Sequence, residues 1–536
     1  MVALNRSCLS TDSTPTSSLP VEQIEIIRSG QEEFRRNLAN ITRQSSIFFA
    51  GASFTLVVGY LFRIYLAREL GARLLGWNAL GMGLYSLCKL IGQMGLPPAA
   101  VRYVAVYSST ERPERLRSFF WRAVLWTFAG TATLGTAVVL GRHWIAAGFF
   151  NDPQLAPYLP LFAVLIPVGA VSAFLNQTLT GLKMVSRSTL ITNFISFPFM
   201  MVSTVVALSV GLSLWGYVAA QVVAELLTLT LAAVSVWRAN PAHPRFRDIP
   251  GEDLSPEVWW FALSMLGLAV LEFMSGQADR LIVGHYLEAK QVGIYAIASA
   301  AAGLNAMVLQ AVNSIFAPTI ANLHAQGEHV LLLRLFQTLT KWIIAFTLPL
   351  ALLFILLAPT LMGIFGPDFQ AGSLVLCIIT LGQLVNSGTG SVGYLLLMSG
   401  NQKRLIRIQV VMATAILLAN VILIPRLGIT GAALVAASGM ALANLAYLVI
   451  VRRTLGLFPY NRSYLKLVGP ALAATGGVWL LRIWLGGSWR AIPLLLLAFV
   501  VGYTVFLAGF VAFGLNDDDR MIVDMVRSRV RALFAG

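Results

Sequence analysis

One stretch of this chain occurs twice, and the repeat limits the folds that the chain can adopt. The first copy, Arg63 to Leu80, reads RIYLARELGARLLGWNAL, and the second, Arg280 to Ile297, reads RLIVGHYLEAKQVGIYAI. Each copy contains the end of one apolar segment, a short polar connection and the start of the next segment. A repeat of this length in a hydrophobic chain is typical of transporters. At an offset of 217 residues the copies share Arg63/Arg280, Leu70/Leu287, Ala72/Ala289, Gly76/Gly293 and Ala79/Ala296.

The composition indicates that most of the chain lies in lipid. Hydrophobic residues make up 57% of the sequence, charged residues only 11%, and the mean hydropathy is +0.76. Soluble domains carry about 25% charged residues. The formal net charge of +15 would suggest nucleic acid as the partner of a soluble protein. In a membrane protein, positively charged cytoplasmic loops account for it, so we expect no nucleic-acid partner.

Apolar stretches of about 20 residues, long enough to cross the hydrocarbon core, recur along the chain. They predict an all-α integral membrane protein with fourteen transmembrane segments. Segments 1 to 14 are residues 46–67, 76–96, 118–140, 157–181, 188–210, 214–237, 259–283, 292–317, 341–364, 371–398, 405–424, 429–451, 465–484 and 491–513.

The repeat extends over segments 1–6 and 7–12. Gly216 to Arg238 matches Gly431 to Arg453, and Lys183 matches Lys403 in the connection before them. Because six is an even number, both copies have the same orientation, as parallel repeats about an axis along the membrane normal. The predicted units are a cytoplasmic N-terminal segment (1–44), the first six-helix bundle (45–240), a cytoplasmic linker (241–258), the second six-helix bundle (259–453), two additional transmembrane helices (454–514) and an amphipathic cytoplasmic tail (515–536).

The loop charges predict the orientation. With the N-terminus inside, most of the 38 Lys and Arg residues lie on the cytoplasmic side. The positive-inside rule therefore places both termini in the cytoplasm. Residues 31–44 and the tail each combine an apolar stripe with arginines, which predicts two helices lying on the inner leaflet. The tail opens with Asp517, Asp518 and Asp519, which suit a helix N-terminus.

Lys89 is the first candidate for substrate binding, because a charged residue in the middle of a membrane segment is costly and is a functional candidate by default. Asn78, Tyr85, Ser86 and Gln93 lie at helical spacings from it, so segment 2 has one polar stripe. Lys89 is expected either to line an anion-binding cavity or to pair with a carboxylate for packing.

Three carboxylates are candidates for coupling or charge balance. Glu272 and Asp279 lie seven residues apart on segment 7, and Glu225 is central in segment 6. They are expected to form a proton or cation site, or to balance a cationic cavity. An interhelical salt bridge of Lys89 with Glu272 or Asp279 is the alternative.

Arg63, Arg280 and Asn305 complete the predicted substrate-binding residues. The two arginines occupy equivalent positions near the outer ends of segments 1 and 7, where arginines also extend to the headgroups. Asn305 makes segment 8 polar, and its amide suits sugar hydroxyls or helix–helix hydrogen bonds. The sequence contains no nucleotide loop, metal cluster or hydrolase triad, so we expect no catalytic residues, cofactor or metal.

Longer motifs resemble a known family. YLARELGARLLGWNAL followed by GQMGLPPAAVRYVA resembles the start of bacterial polysaccharide exporters, the oligosaccharide flippases of Wzx type, whose superfamily includes the MATE drug exporters. DRLIVGHYLEAKQVGIYAIASA with NSIFAPTIANLHAQGE, and LGITGAALVAA, resemble the start of the second half and the twelfth helix of that family. The resemblance covers roughly residues 40–455. Asp279, Arg280, Gly284 and Gly293 match the family pattern.

This resemblance implies two six-helix bundles around a cationic cavity, in a bacterial inner membrane. The substrate that it implies is a polyprenyl-diphosphate-linked oligosaccharide, moved from the inner to the outer leaflet, with polysaccharide assembly proteins as partners. A multidrug or cation antiporter of the same superfamily is one alternative, although a cation exporter favours an acidic cavity. A membrane glycan polymerase or ligase is another. Such an enzyme needs a large outer loop, and the longest predicted here, residues 141–156, has one acidic residue, Asp152.

Overall fold

The computed structural model describes residues 21–110, 113–239, 254–485, 491–513, 515–521, 524 and 527, with the backbone alone for residues 21–43, 45 and 113. Within these ranges the regular elements are helices. The main ones are α1 Val21–Gly92, α2 Leu96–Ser109, α3 Pro113–Leu140, α4 Leu159–Gly181, α5 Val185–Ser209, α6 Ser213–Ala239, α7 Pro256–Gly276, α8 Ala278–Tyr286, α9 Ala289–Gly303, α10 Ala306–Ala325, α11 His329–Leu356, α12 Ala358–Gly363, α13 Ser373–Thr389, α14 Val392–Met398, α15 Gln402–Leu455, α16 Val468–Leu485 and α17 Ala491–Ala512.

Twelve helices in the described part of the chain are long and apolar enough to cross a membrane. Two of them, α1 and α15, each cover two predicted segments and contain one residue with non-helical backbone angles. These residues are Gly71 (φ 72°, ψ 175°) and Gly428 (φ 62°, ψ −144°), in a region that glycine adopts at little cost. The all-α membrane fold is confirmed. A total of fourteen requires each bent helix to count as two, and it stays a prediction.

Several boundaries differ from those predicted. Segment 8 is broken at Leu304 and Asn305, between α9 and α10. The loop after segment 2 contains α2, which starts where Gly95 turns the backbone (φ 73°) and prolines occupy the first helical positions. Residues 31–44, expected to form a separate surface helix, are continuous with α1. Most of the predicted linker, residues 241–253, lies outside the described residues.

The backbone supports the repeat, because residues with positive φ recur at equivalent connections. Lys183 (φ 60°) and Gly400 (φ 78°) precede the fifth and eleventh segments, and Gly211 (φ 86°) and Gly428 (φ 62°) precede the sixth and twelfth. Both pairs are separated by 217 residues, the offset of the first hairpin. The two halves therefore turn at the same places.

Each half packs around its fourth segment. In the first half α4 packs against α2, α3 and α6, and in the second half α13 packs against α11 and α15. The helices α16 and α17 pack against each other, and both contact α11. The two halves meet where the part of α1 that follows the bend at Gly71 packs along α9. We call this the outer contact, since loop charges predict that it lies at the outer end.

The halves also meet at the opposite, predicted inner end. There a Cβ atom on Gly95 would lie 1.9 Å from the carbonyl oxygen of Ala262 on α7. Tyr103 on α2 donates a hydrogen bond to the carbonyl oxygen of Glu257 (3.3 Å), and the Arg102 guanidinium lies 4.7 Å from the ring centre of Phe261. α2, which the sequence did not predict, therefore links the first half to α7.

The acidic start of the tail docks on α11. Asp519 is almost fully buried, and its carboxylate lies 2.5 Å from Lys341 Nζ and accepts a hydrogen bond from Trp342 Nε1 (3.1 Å). Asp518 accepts a hydrogen bond from Arg334 Nε (2.7 Å). The sequence predicted only a helix N-terminus here, and most of the predicted surface helix lies outside the described residues.

Candidate substrate cavity

The two arginines of the repeat line one cavity. This arginine cavity has a volume of about 490 Å³ and is enclosed by α1, α5 and α6 of the first half and α8 and α9 of the second. Arg63 comes from α1 and Arg280 from α8, so each half contributes one arginine from the same position of the repeat. Its polar lining consists of Thr55, Tyr60, Arg63, Asn78, Tyr217, Gln221 and Arg280.

Neither arginine has a carboxylate partner among the described residues. The Arg63 guanidinium lies 5.4 Å from the ring centre of Tyr60, whose hydroxyl donates a hydrogen bond across the interface to the carbonyl oxygen of Ala300. Arg63 is exposed and Arg280 is half-buried. A cavity with two unpaired guanidinium groups attracts an anion, since arginine matches carboxylate and phosphate oxygens with two parallel hydrogen bonds.

Asp279 is adjacent to Arg280, but its oxygens are engaged by groups that carry no charge. The hydroxyl of the fully buried Tyr295 donates to Asp279 Oδ2 (2.5 Å), and the backbone N–H of Arg280 donates to Asp279 Oδ1 (2.8 Å). Asp279 also lies in the first turn of α8, where a negative charge is favourable. This geometry fixes the start of α8 against α9 and thereby positions Arg280.

A second cavity opens from the arginine cavity into the first half. This first-half chamber has a volume of about 540 Å³, and the two cavities share lining residues that include Met82, Tyr217 and Gln221. Glu225 lines the chamber, and none of its lining residues is lysine or arginine. The other polar residues confined to the chamber are Tyr85, Ser172, Asn176, Gln177, Thr192, Ser196 and Thr228.

Lys89 reaches this chamber through a tyrosine. Its Nζ donates a hydrogen bond to the Tyr85 hydroxyl (3.0 Å) one helical turn away, and Tyr85 lines the chamber. Lys89 itself is half-buried and lies outside the lining of both cavities. The alternative salt bridge with Glu272 or Asp279 is not formed between these described residues. Its role in anion binding stays a prediction.

Glu272 and Asn305 are outside both linings. The sequence placed Glu272 and Asp279 on one helical face, but the helix breaks between them at Gln277 (φ −137°, ψ −21°), so the spacing of seven no longer aligns them. Glu272 is exposed. Asn305 is fully buried in the break between α9 and α10, where its Nδ2 donates to the carbonyl oxygen of Ala302 (3.3 Å). Nothing in this geometry brings either residue to the arginines.

The sequence reasoning missed the polar stripe of α6. Tyr217, Gln221, Glu225 and Thr228 follow one another at spacings of four, four and three, which puts them on one face of the helix. All four line the first-half chamber, and the first two also line the arginine cavity. Helical spacing of polar residues in an apolar segment was the available signal, and it is the same signal that marked Lys89.

The family model described as "Polysaccharide biosynthesis protein" matches residues 65–369, which is more than half of the chain. The chain belongs to this family. The resemblance to this polysaccharide family is thereby confirmed, and the twelve membrane-length helices of the described residues agree with a multi-pass membrane protein.

A curated relative of this family member is the succinoglycan biosynthesis transport protein ExoT of Rhizobium meliloti (strain 1021). The two are 25% identical over 323 residues, which cover 59% of this chain and 60% of the relative. The match thus spans less than two thirds of the relative's length. The name of this relative describes a transport protein.

Two solved structures share the fold of this family member. The lipid II flippase MurJ in an inward closed conformation matches with a TM-score of 0.67 and 16% identity, over 87% of this chain and 98% of that chain. An inward-facing multidrug resistance transporter of the MATE family, in the MOP superfamily, matches with a TM-score of 0.59 and 14% identity, over 75% and 94%. At these identities the comparisons show the fold.

Proposed function

We propose that this protein flips a polyprenyl-diphosphate-linked oligosaccharide from the inner to the outer leaflet for the synthesis of a surface polysaccharide. The observation that carries this proposal is the pair Arg63 and Arg280. The repeat brings them to one cavity from opposite halves, and neither has a carboxylate partner among the described residues. The names of the relatives, a polysaccharide transport protein and a lipid II flippase, agree with it.

The physical reason lies in the diphosphate. An ionised group moved into hydrocarbon without partners costs on the order of tens of kcal/mol, so a diphosphate does not cross a bilayer unassisted. Two guanidinium groups offset that cost with charge-assisted hydrogen bonds. The polyprenyl chain needs no such help, because it can stay in the lipid. Two halves of the same fold can then rock about the cavity to open it to either side.

The proposal includes location and partners. The distribution of Lys and Arg supports cytoplasmic termini, and the bacterial relative supports a bacterial inner membrane. Proteins that polymerise and export the glycan would act on the flipped product. Flipping requires no covalent chemistry, so the protein acts as a transporter and not as an enzyme. Proton or cation coupling through Asp279 or Glu272 is a further part of the proposal, tested by the pH dependence of flipping in Asp279→Asn and Glu272→Gln.

Depletion of the protein in cells tests the proposal. We expect a polyprenyl-diphosphate-linked oligosaccharide to accumulate at the inner leaflet, out of reach of a periplasmic glycosidase added to spheroplasts. Accumulation of the same intermediate at the outer leaflet would instead indicate a failure of polymerisation. That result would contradict the flippase and favour the glycan polymerase.

The antiporter alternative has one observation in its favour, the carboxylate of Glu225 in the first-half chamber. An organic cation would be attracted to it. In that case, overexpression should raise resistance to lipophilic cations, and Glu225→Gln should abolish the increase. The flippase proposal predicts that overexpression of neither the wild-type protein nor Glu225→Gln changes resistance to lipophilic cations.

A further inference from the structure

The two halves differ in one helix, although they share the same fold. Segments 6 and 12 match from Gly216/Gly431 onwards, so the residues of the α6 stripe can be paired with residues of α15. Each polar residue of the stripe corresponds in the repeat to a small or apolar residue of α15. The pairs are Tyr217/Ala432, Gln221/Ala436, Glu225/Met440 and Thr228/Ala443. A polar stripe needed only for the fold would be expected in both copies, so the first half has a separate function.

The stripe lines a chamber suited to an uncharged polar ligand. Its volume of about 540 Å³ lies in the usual range of small-molecule sites, about 300–1,000 Å³. The lining offers side-chain amides and hydroxyls, and no lysine or arginine. Ser196 Oγ in the chamber and Asn78 Oδ1 in the adjoining arginine cavity are buried and have no hydrogen-bond partner among the described residues. Buried polar atoms of this kind call for a ligand or water.

The carboxylate of Glu225 also lacks a hydrogen-bond partner among the described residues, and its charge makes the need for a bound donor greater. It is half-buried in the centre of α6, and its carboxylate has no ion pair or hydrogen bond with another described residue. An intramembrane carboxylate is costly unless donors surround it. A carboxylate accepts up to four hydrogen bonds, and sugar hydroxyls are donors that carry no charge. Hydrogen bonds to an ionised group are stronger than those between neutral groups.

The position of the chamber agrees with this chemistry. Tyr217 and Gln221 line both cavities, so a ligand can extend from one to the other without crossing a wall. In a lipid-linked oligosaccharide the first sugar is attached directly to the diphosphate. If Arg63 and Arg280 hold the diphosphate, the sugars must occupy a space next to them, and the first-half chamber adjoins the arginine cavity there.

We infer that the first-half chamber is the glycan subsite of the transporter. Uncharged sugar residues bind there, Glu225 accepts hydrogen bonds from their hydroxyls, and the lining amides supply further donors and acceptors. This inference rests on the proposed function, and it assigns sugar recognition to the first half alone. The arginines, one from each half, recognise the part common to all lipid-linked glycans, and the α6 stripe recognises the part that differs.

The test compares two lipids on the purified protein in nanodiscs. One is bare undecaprenyl diphosphate and the other is the same lipid carrying an oligosaccharide of uncharged hexoses. We expect the wild-type protein to bind the glycosylated lipid at least about tenfold more tightly, the effect of one hydrogen bond to a charged group. The double variant Gln221→Ala with Glu225→Met installs the residues that the second half carries at these positions. It should bind both lipids with the affinity of the bare one.

The isosteric variant Glu225→Gln provides a second test in case the double variant misfolds. It should lose most of the tenfold difference in affinity between the two lipids. The matched control Met440→Gln, at the equivalent position of α15, should retain the tenfold difference.

Retention of the full difference in both stripe variants would overturn the inference, as would equal binding of the two lipids by the wild-type protein. So would binding of tetraphenylphosphonium that Glu225→Gln abolishes, because the chamber would then be an organic-cation site. Failure of the proposed function looks different: neither lipid would bind, and Arg63→Ala would change nothing.

Discussion

Gly76 and Gly293 are equivalent residues of the repeat, and at the outer contact each packs against the half that contains the other. A Cβ atom on Gly76 would lie 1.7 Å from the carbonyl oxygen of Ala289, and a Cβ atom on Gly293 would lie 2.0 Å from the carbonyl oxygen of Ala72. Ala72 and Ala289 are themselves equivalent. The contact is therefore reciprocal, and the repeated hairpins form the interface between the two halves at the outer contact.

Gly76→Ala should open this contact. The added methyl group cannot be accommodated without moving the backbone of α9, and overpacking of this kind costs about 1–3 kcal/mol. We expect a shift away from the closed outer contact, measured as a longer distance between spin labels at residues 73 and 290 in pulsed EPR. Gly267→Ala on α7 is the control, because nothing lies within 4 Å of its added Cβ atom. An unchanged distance distribution in Gly76→Ala would contradict the close packing of Gly76 against α9.

Lys89 is predicted to act on the substrate together with Tyr85. Lys89→Ala should reduce export while protein level stays normal, Lys89→Arg should retain part of the activity, and Lys89→Glu should abolish it by placing like charge against phosphates. Since Lys89 donates to the Tyr85 hydroxyl, Tyr85→Phe should reproduce part of the loss. Export per molecule, quantified against immunoblotted protein, measures this. Normal export per molecule in Lys89→Glu would remove Lys89 from the site.

The buried pair of Lys341 and Asp519 predicts a strong stability effect. Removal of one partner leaves an uncompensated buried charge, which typically costs about 3–5 kcal/mol. Lys341→Met and Asp519→Leu should each lower the thermal unfolding temperature in detergent, and the double variant should be more stable than either. Lys290→Met is the control, since its pair with Asp368 (2.8 Å) is about half exposed and should contribute little. Additive losses in the double variant would contradict the pairing.

Asp518 predicts an acid-dependent release of the tail. Its hydrogen bond with Arg334 holds the pKa of the Asp518 carboxyl below its usual value of 3.8. Because the pKa of Asp518 is lower in the docked tail than in the released tail, the ionised carboxylate stabilises docking at pH values above the pKa of the released tail. This stabilisation is lost as the pH falls through the lower pKa of the docked tail. Protection of residues 516–521 from hydrogen exchange, relative to an unstructured peptide at the same pH, should therefore be constant from pH 5 to pH 8 and should fall below about pH 4. Asp518→Asn should remove this component, and release of the tail at pH 6 would contradict the assignment.

The sequence predicted those features that the membrane imposes locally. Backbone groups in lipid must be satisfied within a helix, so apolar stretches of sufficient length became helices near the expected places. The repeat of Arg63 and Arg280 predicted that the two halves are equivalent, and the structure brings both arginines to one cavity.

Features that depend on packing between distant residues were not predictable. The acidic run at Asp518 and Asp519 suggested a helix cap, but its partners Arg334 and Lys341 lie far away in the chain. The break at Gln277, which separates Glu272 from Asp279, has no proline or glycine at the broken position, although Gly276 precedes it. Tyr295 is the partner that fixes Asp279, and only the docking of α9 shows it.

The most direct test of the account measures flipping itself. Purified protein is reconstituted in proteoliposomes with a polyprenyl-diphosphate-linked oligosaccharide, and the glycan reaching the opposite leaflet is followed with an impermeant glycosidase. We expect Arg63→Ala and Arg280→Ala each to slow flipping by about tenfold or more, as expected for loss of one charge-assisted contact. The double variant should be inactive. Arg68→Ala, a nearby arginine outside the arginine cavity whose Nε donates to the carbonyl oxygen of Ile364, should flip at the wild-type rate. Wild-type flipping by the double variant would contradict the central claim that these two arginines carry the diphosphate across the membrane.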